Sequence, residues 1–198
     1  MLFEDDFLYP DGNLLGHGPW VAMEDGSLTA LVSGHQAIGA GGVQRGNSVL
    51  GLLTLPQIRG NWWIELDVIP SASEAVTKDC AIWIGDITGH ALFVDVSWDT
   101  SFGGGTSLLI TAGDQGSVFH SQVVPLGSFG IAHAFVLSYT AADGRLHAWL
   151  DGVEVLHVDG LNVALVTDGR LDIAFVSGAV TTQPRATRVR AGLGIYSF

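Results

Sequence analysis

The sequence has little of what holds together or targets many small proteins. It has one cysteine, Cys80, so no intramolecular disulfide can form, and disulfide-bearing secreted domains are poor templates for it. Its first residues include Glu4, Asp5 and Asp6 and lack both a cationic start and an apolar run, so no signal peptide is predicted. No apolar stretch approaches the length of a membrane span. We therefore expect a protein that is made in a cytoplasm and does not insert into membranes.

Positive charge is also scarce. Lys and Arg together number 8 against 20 Asp and Glu, which gives a formal net charge of -12 and an isoelectric point near 4.6. Nucleic acids and anionic membrane surfaces bind basic patches, so neither is an expected partner. The only local basic cluster is Arg185, Arg188 and Arg190, which we interpret as a solvated strand edge and not as a phosphate site.

Motifs for metal binding and nucleophilic catalysis are missing. There is no G-x-S-x-G, no H-x-x-x-H and no calcium loop of the D-x-[DN]-x-[DN]-G type, although His147 and His157 could meet across a hairpin. We therefore predict no metal site and no cofactor. Calcium is kept as an alternative because several acidic residues lie in predicted turns. They are Asp99, Asp114, Asp143, Asp151, Asp159 and Asp168.

What the chain does contain is a strand pattern. Hydrophobic residues make up 47% and there are 27 Gly, while no run of helical length repeats every 3.6 residues. This combination predicts an all-β fold with a single domain over residues 1–198. The clearest local pattern is a meander at residues 133–155, in which Asp143-Gly144 and Asp151-Gly152 each predict a tight type I′ turn. The predicted strands include residues 62–69, 135–139, 145–150, 153–158 and 189–198.

The meander resembles the laminin-G and concanavalin A-like lectin family, with Trp149 where that family usually has Tyr. Both ends of the chain are similar to concanavalin A-like domains of bacteriophage structural proteins. At the start these are residues 3–7 (Phe-Glu-Asp-Asp-Phe), 10–15 and 19–20, and at the end residues 191–198. The resemblance implies a two-sheet antiparallel jelly-roll sandwich whose N-terminal and C-terminal strands are adjacent.

The same resemblance favours a non-enzymatic virion component, such as a tail, fibre or head-decoration protein. Its implied location is the virion. Its implied partners are other virion proteins and further copies of itself, with host-surface glycans as candidate ligands. A lectin-like module and a glycoside hydrolase are the alternatives, because this fold carries many functions.

Residues 62–70 bear on the hydrolase alternative because they resemble the catalytic strand of laminarinase-type glycoside hydrolases. There Glu65 would be the nucleophile, and Asp67 would lie between it and the acid/base position. That position holds Pro70, which cannot transfer a proton, so no enzymatic activity is predicted. Strand alternation predicts a core face made of Trp62, Ile64, Leu66 and Val68.

The opposite side of this strand supplies the lectin alternative. Saccharide sites combine an aromatic ring with carboxylates that bind hydroxyl groups. Residues of these types lie on this strand and on another predicted strand, at Trp63, Glu65, Asp67, Phe93 and Asp95.

Overall fold

The computed structural model describes most of the predicted strands. It describes residues 1–14, 17–18, 20–21, 31–38, 49–56, 60–69, 80–85, 93–98, 107–114, 117–125, 131–160, 170–177 and 185–197. In residues 21, 49–56, 80–85, 93–98, 107–114, 117–125 and 170–177 it describes the backbone alone. Within these ranges there is no helix, and so none long and apolar enough to cross a membrane.

All of the described strands pair antiparallel in two sheets, which stack as a sandwich, as predicted. The first sheet has the order β14-β13-β12-β7-β16-β5-β4-β2, with β1 also paired to β16. Its strands are β1 (Phe3–Asp5), β2 (Gly12–Asn13), β4 (Leu31–Val32), β5 (Ala37–Ile38), β7 (Trp62–Ile69), β12 (His133–Thr140), β13 (Arg145–Leu150), β14 (Val153–Val158) and β16 (Arg185–Leu193).

The second sheet has the order β11-β10-β9-β8-β15-β6-β3. Its strands are β3 (Trp20–Val21), β6 (Val49–Pro56), β8 (Cys80–Gly85), β9 (Phe93–Trp98), β10 (Ser107–Asp114), β11 (Ser117–Pro125) and β15 (Arg170–Ser177).

Side-chain alternation along β7 positions the core. Ile64 and Leu66 are fully buried and Trp62 is nearly so, with the Trp62 ring stacked on Tyr139 at 5.8 Å. Trp63 and Asp67 on the opposite side are only partly buried. The predicted core face of this strand is therefore confirmed. We call the side that carries Trp63, Glu65 and Asp67 the outer face of the first sheet.

Strand β1 pairs with β16, which confirms that the N-terminal and C-terminal strands are adjacent. A buried carboxylate, Asp5, ties β1 to the second sheet. It accepts hydrogen bonds from the indole Nε1 of Trp20 at 2.7 Å, the backbone N–H of Phe7 at 2.7 Å and the Tyr9 hydroxyl at 3.1 Å. These donors offset the cost of burying a charge. The second Asp of the acidic pair near the start, Asp6, is exposed.

The meander forms as predicted, but its two turns differ. Asp151 and Gly152 have φ values of 51° and 79°, so both residues are left-handed, as a type I′ turn requires. At the other turn only Gly144 has a positive φ, and the turn spans residues 141–144. The type I′ prediction was therefore wrong at Asp143-Gly144, because two further residues lengthen the loop and one left-handed glycine suffices to close it.

Candidate functional site

The outer face carries two carboxylates of β7 opposite two arginines of β16. Glu65 is the cross-strand partner of Arg190, and Asp67 is the partner of Arg188. The Arg188 Nη2 atom lies 2.9 Å from Asp67 Oδ2 and 3.1 Å from Glu65 Oε1, and Arg190 Nη2 also binds Glu65 Oε1. We call these four residues the charged cluster. Its formal charges sum to zero, so the carboxylates are compensated although Glu65 is only 6% exposed.

The interpretation of the arginines as a solvated strand edge was wrong. Strand β16 lies inside the first sheet, with β7 on one side and β1 and β5 on the other. Arg188 and Arg190 are partly buried, and only Arg185 is exposed. Their guanidinium groups pair with β7, while the Nε atoms of Arg188 and Arg190 are buried and have no hydrogen-bond partner among the described residues.

Tyr196 completes the surroundings of Glu65. Its hydroxyl donates to Glu65 Oε2 at 3.1 Å. Burial, together with the charge of Glu65, raises the pKa of Tyr196 above its usual value, so the phenol is a hydrogen-bond donor at neutral pH. The hydrogen bond to Glu65 likewise raises the pKa of Arg190. The Glu65 carboxylate thus accepts hydrogen bonds from two guanidinium groups and a phenol.

A row of aromatic rings borders the charged cluster. Trp63 contacts Tyr196 edge to face at 5.3 Å, Tyr196 stacks on Trp149 at 6.3 Å, and Trp149 stacks on His147 at 5.4 Å. All four rings are partly exposed. We call Trp63, Tyr196 and Trp149 the aromatic row. It spans three elements, because Trp63 comes from β7, Trp149 from β13 and Tyr196 from the segment that follows β16.

Gly192 allows Trp63 to lie close to β16. It is the cross-strand partner of Trp63, and a Cβ atom at this position would lie 2.4 Å from two carbon atoms of the indole. Carbon atoms in contact are normally about 3.5–4.0 Å apart, so only glycine leaves room for the ring here. The orientation of Trp63 therefore depends on the absence of a side chain at position 192.

A cavity of about 350 Å³ opens beside these groups. Its lining combines the first two rings of the aromatic row with part of the charged cluster and the end of the chain's last described segment. The lining residues are Trp63, Glu65, Arg190, Ile195, Tyr196 and Ser197. An aromatic wall next to fixed donors and acceptors is the arrangement that proteins use to hold a saccharide, whose ring has an apolar face and a hydroxyl rim.

The structure brings together three of the five residues predicted to bind a saccharide. Trp63 and Glu65 line the cavity, and Asp67 belongs to the charged cluster. Phe93 and Asp95 lie on β9, in the second sheet, so they do not share the outer face of the first sheet. Pro70, which holds the acid/base position of the resemblance, lies outside the described residues.

Tyr196 and Trp149 were not among the predicted site residues. The alternation of β13 does place Trp149 on the same side as His147. That signal could have been read from the sequence. The predicted strand over residues 189–198 ends at Leu193 in the structure, so Tyr196 lies in an irregular segment after β16, where strand alternation does not fix its direction.

A second polar cluster lies on β13 and β14. Glu154 Oε1 is 3.0 Å from the Nδ1 atoms of both His147 and His157, and His157 Nε2 is 3.1 Å from Asp159 Oδ2. Hydrogen bonding to Asp159 raises the pKa of His157 above its usual value, and Glu154 adds to the effect. The sequence predicted that His147 and His157 could approach each other, but it did not predict that Glu154 binds both of them.

The acidic turn residues named as calcium candidates are engaged elsewhere where their side chains are described. Asp143 and Asp159 both bind Arg145, and Asp151 binds His133 at 2.7 Å. The side chain of Asp114 is not described, and Asp99 and Asp168 lie outside the described residues. The absence of a cofactor stays a prediction, with calcium as its alternative.

No protein-family model and no curated protein sequence matches the chain. Solved structures do match. The carbohydrate recognition domain of Emp47p is 13% identical, with a TM-score of 0.61 over 93% of this chain and 95% of that one. An alginate lyase, Aly36B, determined as a mutant with alginate tetrasaccharide, is 11% identical, with a TM-score of 0.66 over 98% and 97%. An endo-1,3-β-glucanase from Streptomyces sioyaensis is 11% identical, with a TM-score of 0.64 over 96% and 94%.

These similarities give the chain the concanavalin A-like lectin/glucanase jelly-roll fold, which confirms the family resemblance at the level of fold. The prediction that the protein has no enzymatic activity was wrong. The lyase and the glucanase show that this fold serves glycan-cleaving enzymes as well as lectins, so the fold is compatible with an enzyme. Pro70 stands where the laminarinase-type motif has its acid/base residue, so it argues against that one mechanism and not against other glycan-cleaving reactions. The virion role has no support from these structures and stays a prediction.

Proposed function

We propose that the outer face of the first sheet binds a saccharide, with the aromatic row as its stacking surface. The observation that carries the proposal is the 350 Å³ cavity, which has two of these rings and the Glu65 and Arg190 pair in its lining. Sugar rings stack their C–H face on aromatic rings, and hydroxyl groups exchange hydrogen bonds with carboxylates and guanidinium groups. The carbohydrate recognition domain of Emp47p shares the fold, which supports the same class of ligand.

The charge of the site favours a neutral saccharide. The charged cluster contributes no net charge, and the whole chain has a formal net charge of -12. A polyanionic glycan would therefore approach against the long-range field, and both arginines of the charged cluster are already paired with carboxylates. A neutral ring has no such penalty, and it can accept hydrogen bonds from Arg190 without displacing Glu65.

Cleavage of a glycan at the same cavity is the second candidate function. Glu65 and Asp67 both lie on the outer face of β7, as the two matching carboxylates do in the laminarinase-like pattern. Because the arginines and Tyr196 occupy the oxygen atoms of Glu65, a catalytic role would require a substrate that displaces one of these donors. Among these three donors to Glu65, the Tyr196 hydroxyl is the one that can give up a proton, because a guanidinium group stays protonated in proteins.

A glycan array followed by calorimetric titration of the best binder tests the binding proposal. Trp149→Ala removes one ring without disturbing the charged cluster, and we expect it to weaken binding by about tenfold, equivalent to ~1.4 kcal/mol. Leu8→Ala, which truncates a side chain that is 71% exposed, is the control and should bind as the wild type does. Equal affinities of the wild type and a variant with both Trp63→Ala and Trp149→Ala would exclude the aromatic row as the binding surface.

Incubation with a panel of polysaccharides, read out as new reducing ends or unsaturated products, tests the second candidate. Activity that disappears in Glu65→Gln but persists in Asp6→Asn would assign cleavage to this cavity. Activity that survives Glu65→Gln would place the reaction elsewhere.

A further inference from the structure

We propose that His147, Glu154 and His157 form a binding site for a first-row transition-metal dication such as Zn²⁺. The proposal does not depend on saccharide binding. The ligand atoms of these three residues all lie within 4.8 Å of one another. Two imidazoles and one carboxylate are a donor set that zinc accepts in proteins, whereas calcium and magnesium prefer oxygen ligands alone.

A β-bulge brings the three residues to one side of the sheet. His147 and His157 are direct cross-strand partners on β13 and β14. In a regular strand Glu154 would point to the opposite side from His157, because side chains alternate. The register shifts between Ala148 and Trp149, so Glu154 becomes the partner of Trp149 and faces the same way as His157. The irregularity therefore gives the cluster its third ligand.

The distances suit a tetrahedral ion. Bonds of about 2.0–2.1 Å place the ligands of a tetrahedral zinc ion about 3.3 Å apart. Glu154 Oε1 lies 3.0 Å from Nδ1 of His147 and 3.0 Å from Nδ1 of His157, so the carboxylate needs to move away from each imidazole by only a few tenths of an ångström. Glu154 is 44% exposed and His157 is 46% exposed, which leaves the ion a path from solvent and a free coordination position.

Both imidazole rings are already oriented. His157 Nε2 is hydrogen-bonded to Asp159, whose other oxygen accepts from Arg145 Nε at 3.0 Å. A carboxylate on the far nitrogen of a histidine ligand fixes the ring and makes it a better donor to the metal. His147 lies nearly parallel to Trp149, with an interplanar angle of 6°. The Nδ1 atoms of both rings therefore converge on the Glu154 carboxylate before any ion binds.

The proposal is tested by calorimetric titration of untagged protein with ZnCl2, after a chelator has removed any bound metal. We expect one ion per chain, at least 100-fold weaker binding in His157→Ala, and about tenfold weaker binding in Asp159→Asn. His17→Ala is the matched control, because His17 stacks on Tyr9 at 4.4 Å, outside the cluster, and its loss should leave zinc affinity unchanged. His157 and Asp159 are exposed, so both variants should keep the wild-type circular dichroism spectrum.

Two results would overturn the assignment. One is that the wild type binds no zinc, or that the His157→Ala variant binds zinc as tightly as the wild type does. Either outcome would mean that the three residues form a hydrogen-bonded cluster only. The other is a CaCl2 titration whose heat depends on His157, because an oxygen-seeking ion should not require an imidazole.

Discussion

Replacing Gly192 with alanine should push the Trp63 ring away from β16. The added Cβ would lie 2.4 Å from the indole Cε2 and Cζ2 atoms and 2.6 Å from Nε1. Since ordinary contacts are about 3.5–4.0 Å, the ring has to move by about 1 Å or more. This movement would break the edge-to-face contact between Trp63 and Tyr196, whose centroids are 5.3 Å apart, without removing any polar group.

Two opposing effects set the size of the change in stability. Overpacking of this kind costs about 1–3 kcal/mol. Glycine within a strand costs roughly 0.5–1 kcal/mol relative to alanine, and the φ of Gly192 is not left-handed, so the substitution recovers that amount. We therefore expect Gly192→Ala to destabilise the wild type, but to stabilise a Trp63→Ala variant by ~0.5–1 kcal/mol, because the obstructing ring is then absent.

Urea denaturation of the wild type, both single variants and the double variant measures this coupling. The predicted coupling free energy between positions 63 and 192 is about 1–3 kcal/mol. Saccharide affinity should fall in Gly192→Ala if Trp63 belongs to the binding surface. Equal destabilisation by Gly192→Ala in both backgrounds would refute the reasoning, since it would show that the indole is not what the new methyl group meets.

Two further predictions concern Asp5 and Tyr196. Asp5→Ala removes the buried carboxylate that accepts hydrogen bonds from Trp20, Phe7 and Tyr9, so the free energy of unfolding should fall by at least about 2 kcal/mol in urea denaturation. The exposed control Asp6→Ala should stay within about 0.5 kcal/mol of the wild type, and equal effects of the two variants would contradict the role of Asp5. The pKa of Tyr196 is raised above 10.0 in the folded protein, so its contribution to stability should be fully present below about pH 10 and be lost as the pH rises through the folded pKa. Tyr196→Phe should therefore reduce the fall in stability above about pH 10. A Tyr196 phenol that titrates at 10.0 by ultraviolet absorbance would contradict the prediction.

Local patterns in the sequence predicted the local structure well. Alternation along β7 identified Ile64 and Leu66 as core residues, and the meander of β12, β13 and β14 followed from its turn residues and strand lengths. Resemblance to known domains predicted that the first and last strands pair. These features depend on neighbours within a few residues or on a pattern shared across a family.

The site was less predictable because it depends on long-range pairing. Arg190 meets Glu65 across 125 residues of sequence, and nothing in the local pattern of either strand specifies the other as its neighbour. The same lack of information allowed Asp95, on a strand of the second sheet, to be grouped with Glu65. The bulge near Trp149 has no glycine or proline to mark it, so the side taken by Glu154 could not be read from the sequence.

The position of β16 inside the first sheet has a consequence for the order in which the outer face is built. Glu65 is synthesised 123 residues before Arg188, a delay of about 6–25 s at the usual rates of translation. During that interval the carboxylates of β7 lack their guanidinium partners, and Tyr196 has not yet been made. Arg188 and Arg190, which balance the carboxylates, and Tyr196, the middle ring of the aromatic row, join the outer face together when β16 pairs with β7. A ligand that needs both can therefore distinguish the finished protein from a nascent chain.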